Sequence, residues 1–487
     1  MLTFKNRIMK KNFKNIFFLL LVSSMIFGCS DKDTLTSDIV GLGGDTWAKT
    51  EVDDWISKNF TTPYNIEVKY KWDRSELPEI YKNVIPVQEG LVIPVMDIIK
   101  KTWIDPYVAI KGENFMKKYT QKQFFLAGSP SYNSNGTITL GTAEAGRKIV
   151  LLDLNTFDPD NKPAVRQILH TMHHEFGHVL NQNIAVTPDY QRITPSDYTA
   201  TWFNIFRGAY DSDPILDKIM YEADFWGKGF VTPYARSNKD DDFVETLSTL
   251  LEGGDAYYNN IVNNLFVYEG QYIKRNGKGI YEQNTDARNK LLKKKAIVTT
   301  YMKNEWGITL SDLQIKTQEA IEANSPTAAL SELLGPQKTY GTIAVNPQKL
   351  SGLSAKFLTA FNTSNATLQA NMGLYVDNIS LIFSTANRVI LRVNFMDPTV
   401  AAGAGYNADF NYTITKTDGD LKLTYTNPQP TNANARAIEA SVLPIVNYFS
   451  NQTFTMRWID DIIPQSKGIF GGLVNKNDPT SYVFGTL

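Results

Sequence analysis

The period of the apolar positions changes several times along this chain, and each change marks an element or a boundary. Residues 16–27 form a short, nearly unbroken apolar run that ends at Gly28-Cys29. Beyond Asp45, which reads as a cap, Trp47, Val52, Trp55, Ile56 and Phe60 recur at helical spacing. Residues 66–72 alternate at period two and predict a strand. Two more strands are predicted at 137–140 and 148–154, the latter apolar enough to be central in a sheet. Helical patterns then dominate from Pro163 to about Leu334. Among them, Val165, Ile168, Leu169, Met172, Phe176 and Val179 give an apolar stripe to a helix over 165–183.

Around 324–341 the character shifts to short alternating segments: 378–384 with 388–395, and 409–416 with 421–426. The second pair meets across Thr417-Asp418-Gly419-Asp420, a strong hairpin signal. A helix near 435–448 and strands at 453–459 and 482–484 follow. The pattern predicts an α+β chain. A small sheet and long helical body occupy 45–335, and a separate β-rich domain of unknown role occupies 340–487. The latter shows no repeat and no catalytic constellation.

Length and charge narrow the picture further. A chain of 487 residues suggests two or three domains. Lys plus Arg at 49 nearly balance Asp plus Glu at 50, which gives no electrostatic reason to expect nucleic acid. The local basic run Lys293-Lys294-Lys295 reads as a solvated helix face. Cys29 is the sole cysteine, which excludes an internal disulfide framework and a thiolate zinc cluster.

The position of Cys29 explains it better than its chemistry. Lys5, Arg7, Lys10, Lys11 and Lys14 precede the apolar run, as in the charged and hydrophobic regions of a secretory signal. Ile26-Phe27-Gly28-Cys29 resembles a bacterial lipobox, so 1–29 reads as a lipoprotein signal peptide and Cys29 as its lipidation site. Acyl chains anchor at about 0.8 kcal/mol per buried methylene. Residues 30–44 read as a polar tether, whose Ser30-Asp31-Lys32-Asp33 start resembles the acidic export signals of surface lipoproteins. The expected location is the outer membrane, exposed at the cell surface.

The chemistry concentrates elsewhere. All 4 histidines fall at His170, His173, His174 and His178, on about two helical turns. His174 and His178 are four apart, so both rings point to one side and can share an ion at about 2.0–2.1 Å. Glu175 lies beside them, placed to act on water rather than to ligate. A third ligand must come from farther away, because Asn181 and Ile184 stand where a metzincin needs glycine and histidine. Candidates lie in 234–245. Asn238 reads as a helix cap, with Asp241 and Glu245 one turn apart behind it. One acid can bind the ion while the other takes a histidine N–H.

His174-Glu175-Phe176-Gly177-His178 followed by Tyr234, Arg236, Asn238, Asp241 and Glu245 resembles the zincin site of anthrax lethal factor. The resemblance implies that Asp241 is the zinc ligand, Glu245 the outer carboxylate, and Tyr234 a donor to the transition state. That family has Glu at the ligand position, so Glu245 remains an alternative ligand. A wider likeness covers most of 45–260. Asp53-Asp54-Trp55-Ile56, Pro63-Tyr64-Asn65-Ile66, Trp103-Ile104-Asp105-Pro106-Tyr107, Gly141-Thr142-Ala143 and Gly229-Phe230-Val231-Thr232-Pro233-Tyr234-Ala235 carry it. These segments resemble a family of zinc-binding metallopeptidases, Bacteroidetes lipoproteins described as zinc metallohydrolases associated with outer-membrane substrate import. The 340–487 region is similar, more loosely, to a β-rich domain of other such lipoproteins.

The resemblance implies a zincin-like fold, a Zn²⁺ cofactor, Glu175 as general base, a peptide or protein substrate, and partnership with a TonB-dependent import complex. Two readings compete with a peptidase. One is a non-catalytic, substrate-binding lipoprotein with a vestigial or structural zinc site, closed by His170 or His173. The other is a hydrolase of a non-peptide amide or ester.

Overall fold

The computed structural model describes residues 48–487, apart from 78–82, 134–137, 140, 145–146, 205–223, 270–271, 277–278, 327, 351, 399–404, 418, 429–431 and 459–469. The readings of 1–29, Cys29 and 30–44 fall outside the described residues. Four short strands form the first sheet: β1 (Glu67–Lys69), β2 (Gln123–Leu126), β3 (Gly141–Glu144) and β4 (Lys148–Leu151). Their order is β1-β2-β4-β3. The first three are parallel neighbours, and β3 runs antiparallel along the edge with Gly141 opposite Leu151. The central strands are apolar on both faces, as parallel strands covered on both sides must be. Phe124, Leu126, Ile149 and Leu151 enter the larger core. Phe125, Ala127, Val150 and Leu152 pack with Leu77 and Val84 on the other face.

The strand predicted at 148–154 stops at Leu151, because Asp153 takes a left-handed conformation (φ 62°) and a short turn follows. The strand predicted at 66–72 has three residues. Of that at 137–140, Ile138–Thr139 pairs with Ser131–Tyr132 in a ribbon of its own, and 137 and 140 lie outside the described residues.

Helices cover the larger core: α1 (Glu89–Ile99), α2 (Lys162–Asn183), α3 (Lys239–Asn263), α4 (Thr285–Trp306) and α5 (Leu310–Asn324). Helix α2 starts cleanly because the Asn161 side chain accepts the Ala164 N–H and Pro163 occupies the first turn. Its apolar stripe is buried as predicted except for half-buried Ile168, and Phe176 is the anchor. Trp103 meets the Phe176 ring edge-on at 5.5 Å, Tyr107 at 5.1 Å and Phe115 at 6.1 Å. Perpendicular rings of this kind add about 0.5–1.5 kcal/mol each beyond area burial. The back of α2 is thereby locked, which fixes where its other face points.

Helices α2 and α3 approach closely at Gly177. A Cβ there would sit 2.9 Å from Val244 Cγ1 and 3.3 Å from Leu247 Cδ2. No larger residue allows that approach without displacing α3.

The basic run at 293–295 departs from its sequence reading. Lys293 is exposed, but Lys294 is completely buried. Its ammonium lies 2.7 Å from Asp242 Oδ2 and 2.9 Å from Oδ1, donates to Gly229 O at 2.7 Å, and sits 4.0 Å above the Phe230 ring. Asp242 also accepts from Tyr198 at 2.9 Å. The middle residue of a charged run on a helix points inward when its neighbours flank the buried stripe, and here a buried acid receives it. This pair ties α4 to the N-terminal turn of α3.

The apolar core changes between Ile321 and Leu330. Beyond it lies a closed eight-stranded antiparallel barrel. Its strands are β5 (Thr342–Val345), β6 (Tyr375–Thr385), β7 (Arg388–Met396), β8 (Gly405–Thr417), β9 (Asp420–Pro428), β10 (Gln452–Trp458), β11 (Phe470–Asn475) and β12 (Tyr482–Thr486). Alternate residues such as Leu381, Leu391 and Phe410 face inward. They pack on α6 (Ala355–Met372) and α7 (Ala433–Phe449). The predicted hairpins pair as expected, with Thr417 opposite Asp420 and Gly419 at φ 85° in the turn. Helix α6, strands β5 and β11, and the closure itself were not predicted.

Removing Lys294 strands a buried carboxylate. Lys294→Ala is expected to cost about 3–5 kcal/mol, whereas exposed Lys293→Ala stays within about 0.5 kcal/mol. Thermal denaturation of both variants checks this, and equal effects would refute the buried-pair account.

Candidate metal centre

Helix geometry places Arg166, His170, His174 and His178 along one face of α2, each four residues from the next. Helix α3 faces that row with Asp241, Glu245, Ser248 and Glu252. The start of α3 is built around Asn238, whose side chain accepts the N–H groups of Asp240 and Asp241 at 2.9 and 3.0 Å. Its amide also donates to Asp241 Oδ2 at 2.7 Å, and the Ser237 hydroxyl donates to the same oxygen. With Oδ2 held, Asp241 turns Oδ1 toward the histidines.

Three atoms then face one point. His174 Nε2 and His178 Nε2 are 3.2 Å apart, Asp241 Oδ1 is 3.2 Å from His178 Nε2, and it is 3.7 Å from His174 Nε2. Ligands about 2.0–2.1 Å from a tetrahedral zinc ion stand roughly 3.3–3.4 Å from each other, so this triangle fits that ion. The donor set, two imidazoles and one carboxylate, also suits zinc.

Glu245 occupies a different place. Its Oε1 accepts from His174 Nδ1 at 2.6 Å, and Oε2 accepts from the Thr232 hydroxyl at 2.5 Å. A separation of 2.6 Å is a hydrogen bond and is too short for two ligands on one ion. A carboxylate can only accept, so the proton sits on His174 Nδ1 and the lone pair on Nε2 points at the triangle. His170, His174 and Glu245 do approach within 4.8 Å, as do His174, Glu175 and His178. The first group is the hydrogen-bonded layer behind the triangle, and the second brings Glu175 to its side.

The remaining histidines separate. His170 Nε2 lies 3.1 Å from Glu245 Oε1 and 3.3 Å from Ser248 Oγ. His173 points away from this row into the aromatic core. Its Nδ1 is 3.4 Å from the Tyr107 hydroxyl, and Nε2 is buried without a hydrogen-bond partner among the described residues. Tyr234 lies over His174 with ring centroids 5.7 Å apart, is 40% exposed, and meets Trp202 edge-on at 5.2 Å.

Charge follows burial and pairing. Burial and nearby His170 push the His173 imidazole down to about 3, so it stays neutral. Burial also lowers His170, but Glu245 and then Glu252 outweigh it and raise it to about 10. Burial would raise Glu245, yet His170 and His174 hold it well below the ordinary carboxylate range. Asp241 is likewise lowered despite burial, through His178 and Ser237. Glu175 goes the other way: burial, only partly offset by His174 and His178, holds its carboxyl above the ordinary range. Burial and then Asp241 raise the Tyr234 phenol, which remains a donor.

The residues singled out in sequence thus divide clearly. His174, His178 and Asp241 converge, Glu175 and Tyr234 flank them, Glu245 stands behind, and Cys29 lies outside the described residues. Sequence reasoning missed Thr232, Ser237 and Ser248, small hydroxyls with no local signature. It also missed Arg166 and Glu252, which the spacing of four from His170 and the α3 periodicity could have revealed.

Residues 45–311 match the family described as "Putative zinc-binding metallo-peptidase". The chain is similar to a solved structure from Bacteroides caccae ATCC 43185 that bears the same description. Identity is 28%, coverage is 57% of this chain and 94% of that one, and the TM-score is 0.42. No curated protein matches.

Zinc competition titrations separate the two acids. Asp241→Ala is expected to lose stoichiometric zinc. Glu245→Ala is expected to keep one ion, with affinity lowered about 10–100-fold. The opposite pattern would assign the ion to Glu245.

Proposed function

The chain belongs to that zinc-binding metallo-peptidase family, and from this premise we propose a cell-surface peptidase whose zinc is held by His174, His178 and Asp241. The observation that carries the reading is the triangle of Nε2, Nε2 and Oδ1 atoms, 3.2–3.7 Å apart, with Glu175 beside it. When bound, zinc supplies Lewis acidity, which acidifies water and polarises a carbonyl. Glu175 accepts the proton of the attacking water and returns it to the leaving amine. Its buried, raised carboxyl supports that exchange, because a general base works best with a proton affinity near the working pH. Tyr234, half-exposed over His174, donates a hydrogen bond to the carbonyl oxygen as charge develops there.

A structural site would need a fourth protein ligand. His170 is turned to Glu245 and His173 into the aromatic core, which favours the catalytic reading over the binding lipoprotein. The proposal extends to location: Cys29 is acylated, the chain is displayed on the outer membrane, and it trims peptide or protein substrates beside a TonB-dependent importer. The lipobox-like Ile26-Phe27-Gly28-Cys29 and the acidic start of 30–44 support this part.

Glu175→Gln is expected to keep one zinc ion while peptide-library cleavage falls about 10²–10⁴-fold. Tyr234→Phe should lower kcat by roughly 10²–10³ with the ion retained. Unchanged turnover in Glu175→Gln would refute the mechanism. Cys29→Ala should move the protein from the membrane to the soluble fraction, and retention in the membrane would overturn the anchoring proposal.

A further inference from the structure

We propose that His170, one turn before the ligand pair, is a positioning residue that fixes Glu245 and through it the orientation of His174. The inference rests on the zinc reading above.

Glu245 Oε1 receives two imidazoles, His174 Nδ1 at 2.6 Å and His170 Nε2 at 3.1 Å. A carboxylate oxygen accepts from both only if both nitrogens carry protons, so His170 holds a proton on Nε2. The Ser248 hydroxyl donates to the Glu245 carbonyl at 3.1 Å and so turns a lone pair toward the same His170 N–H at 3.3 Å. On the far side, His170 Nδ1 lies 3.7 Å from Glu252 Oε1, and Arg166 donates to the Glu252 carbonyl. Arg166, His170 and His174 thus engage the acids of α3 rung by rung. Each rung restrains the next toward the ion.

Glu245 itself is buried in this arrangement. Thr232 holds Oε2 from the loop side, and among the described residues His170 is the other side chain that holds Oε1 besides His174. Without His170, that oxygen loses its second donor and the carboxylate gains freedom to swing toward Thr232. The His174 ring would follow, and Nε2 would leave the triangle. His170 Nε2 is turned to Glu245 and Ser248, so its effect on the ion passes through Glu245.

The test is zinc affinity of the full chain by chelator competition, with the melting temperature of the metal-free protein as a second readout. His170→Ala is expected to weaken zinc about 10–100-fold. Because the imidazole also pairs with buried Glu245 in the metal-free protein, the metal-free melting temperature falls in His170→Ala and His170→Gln alike, while zinc affinity falls only in His170→Ala. His170→Gln, whose side-chain amide N–H can reach the same oxygen, should recover affinity to within about threefold. Unaltered affinity in His170→Ala overturns the proposal. So does equal weakening in His170→Gln, which would mean the imidazole acts only as packing. Failure of the unsubstituted protein to bind zinc would instead sink the metallopeptidase reading itself.

Discussion

Everything in the site depends on one helix–helix contact, the polar seam between α2 and α3. On α2 the row is Arg166, His170, His174 and His178; on α3 it is Asp241, Glu245, Ser248 and Glu252. Burying so many polar groups is costly unless each finds a partner, and here the two rows answer each other. Such a seam favours one register of the two helices, because a shift by one turn would leave the polar residue at the end of each row buried without its partner. Gly177 allows the approach, since a side chain there would strike Val244. The geometry of the triangle is therefore a consequence of how the two helices pack.

Two other devices hold the seam in place. The aromatic cage of Trp103, Tyr107 and Phe115 around Phe176 fixes the rotation of α2. The buried Asp242–Lys294 pair holds the first turn of α3 to α4, one residue beyond the acid that faces the histidines. Asn238 then does two tasks with one side chain, capping α3 and steering Asp241. A preorganised site of this kind binds without rearrangement at the moment of reaction.

Much of this was legible in the sequence because it is local. Helix α2, its stripe, the spacing of His174 and His178, the Asn238 cap and the hairpins of 375–428 all rest on neighbours within a few residues. What was not legible depends on distant partners. Lys294 reads as solvent-exposed until Asp242 is seen beneath it. Asp241 and Glu245 are equivalent in spacing, and only the position of Thr232, Ser237 and Asn238 around them separates their roles. Helix α6 hides its apolar row, Phe357, Phe361 and Leu368, among Asn and Thr residues of low helical propensity. Barrel closure requires β12 to meet β5 across more than a hundred residues, with Thr486 opposite Ala344, and no local pattern encodes that.

The most direct test is a crystal structure of the zinc-loaded protein with anomalous data collected at the zinc edge. The account predicts one peak at about 2.0–2.1 Å from His174 Nε2, His178 Nε2 and Asp241 Oδ1, with Glu245 still bonded to His174 Nδ1. A peak on Glu245 with Asp241 turned away, or no peak between the two helices, would contradict it.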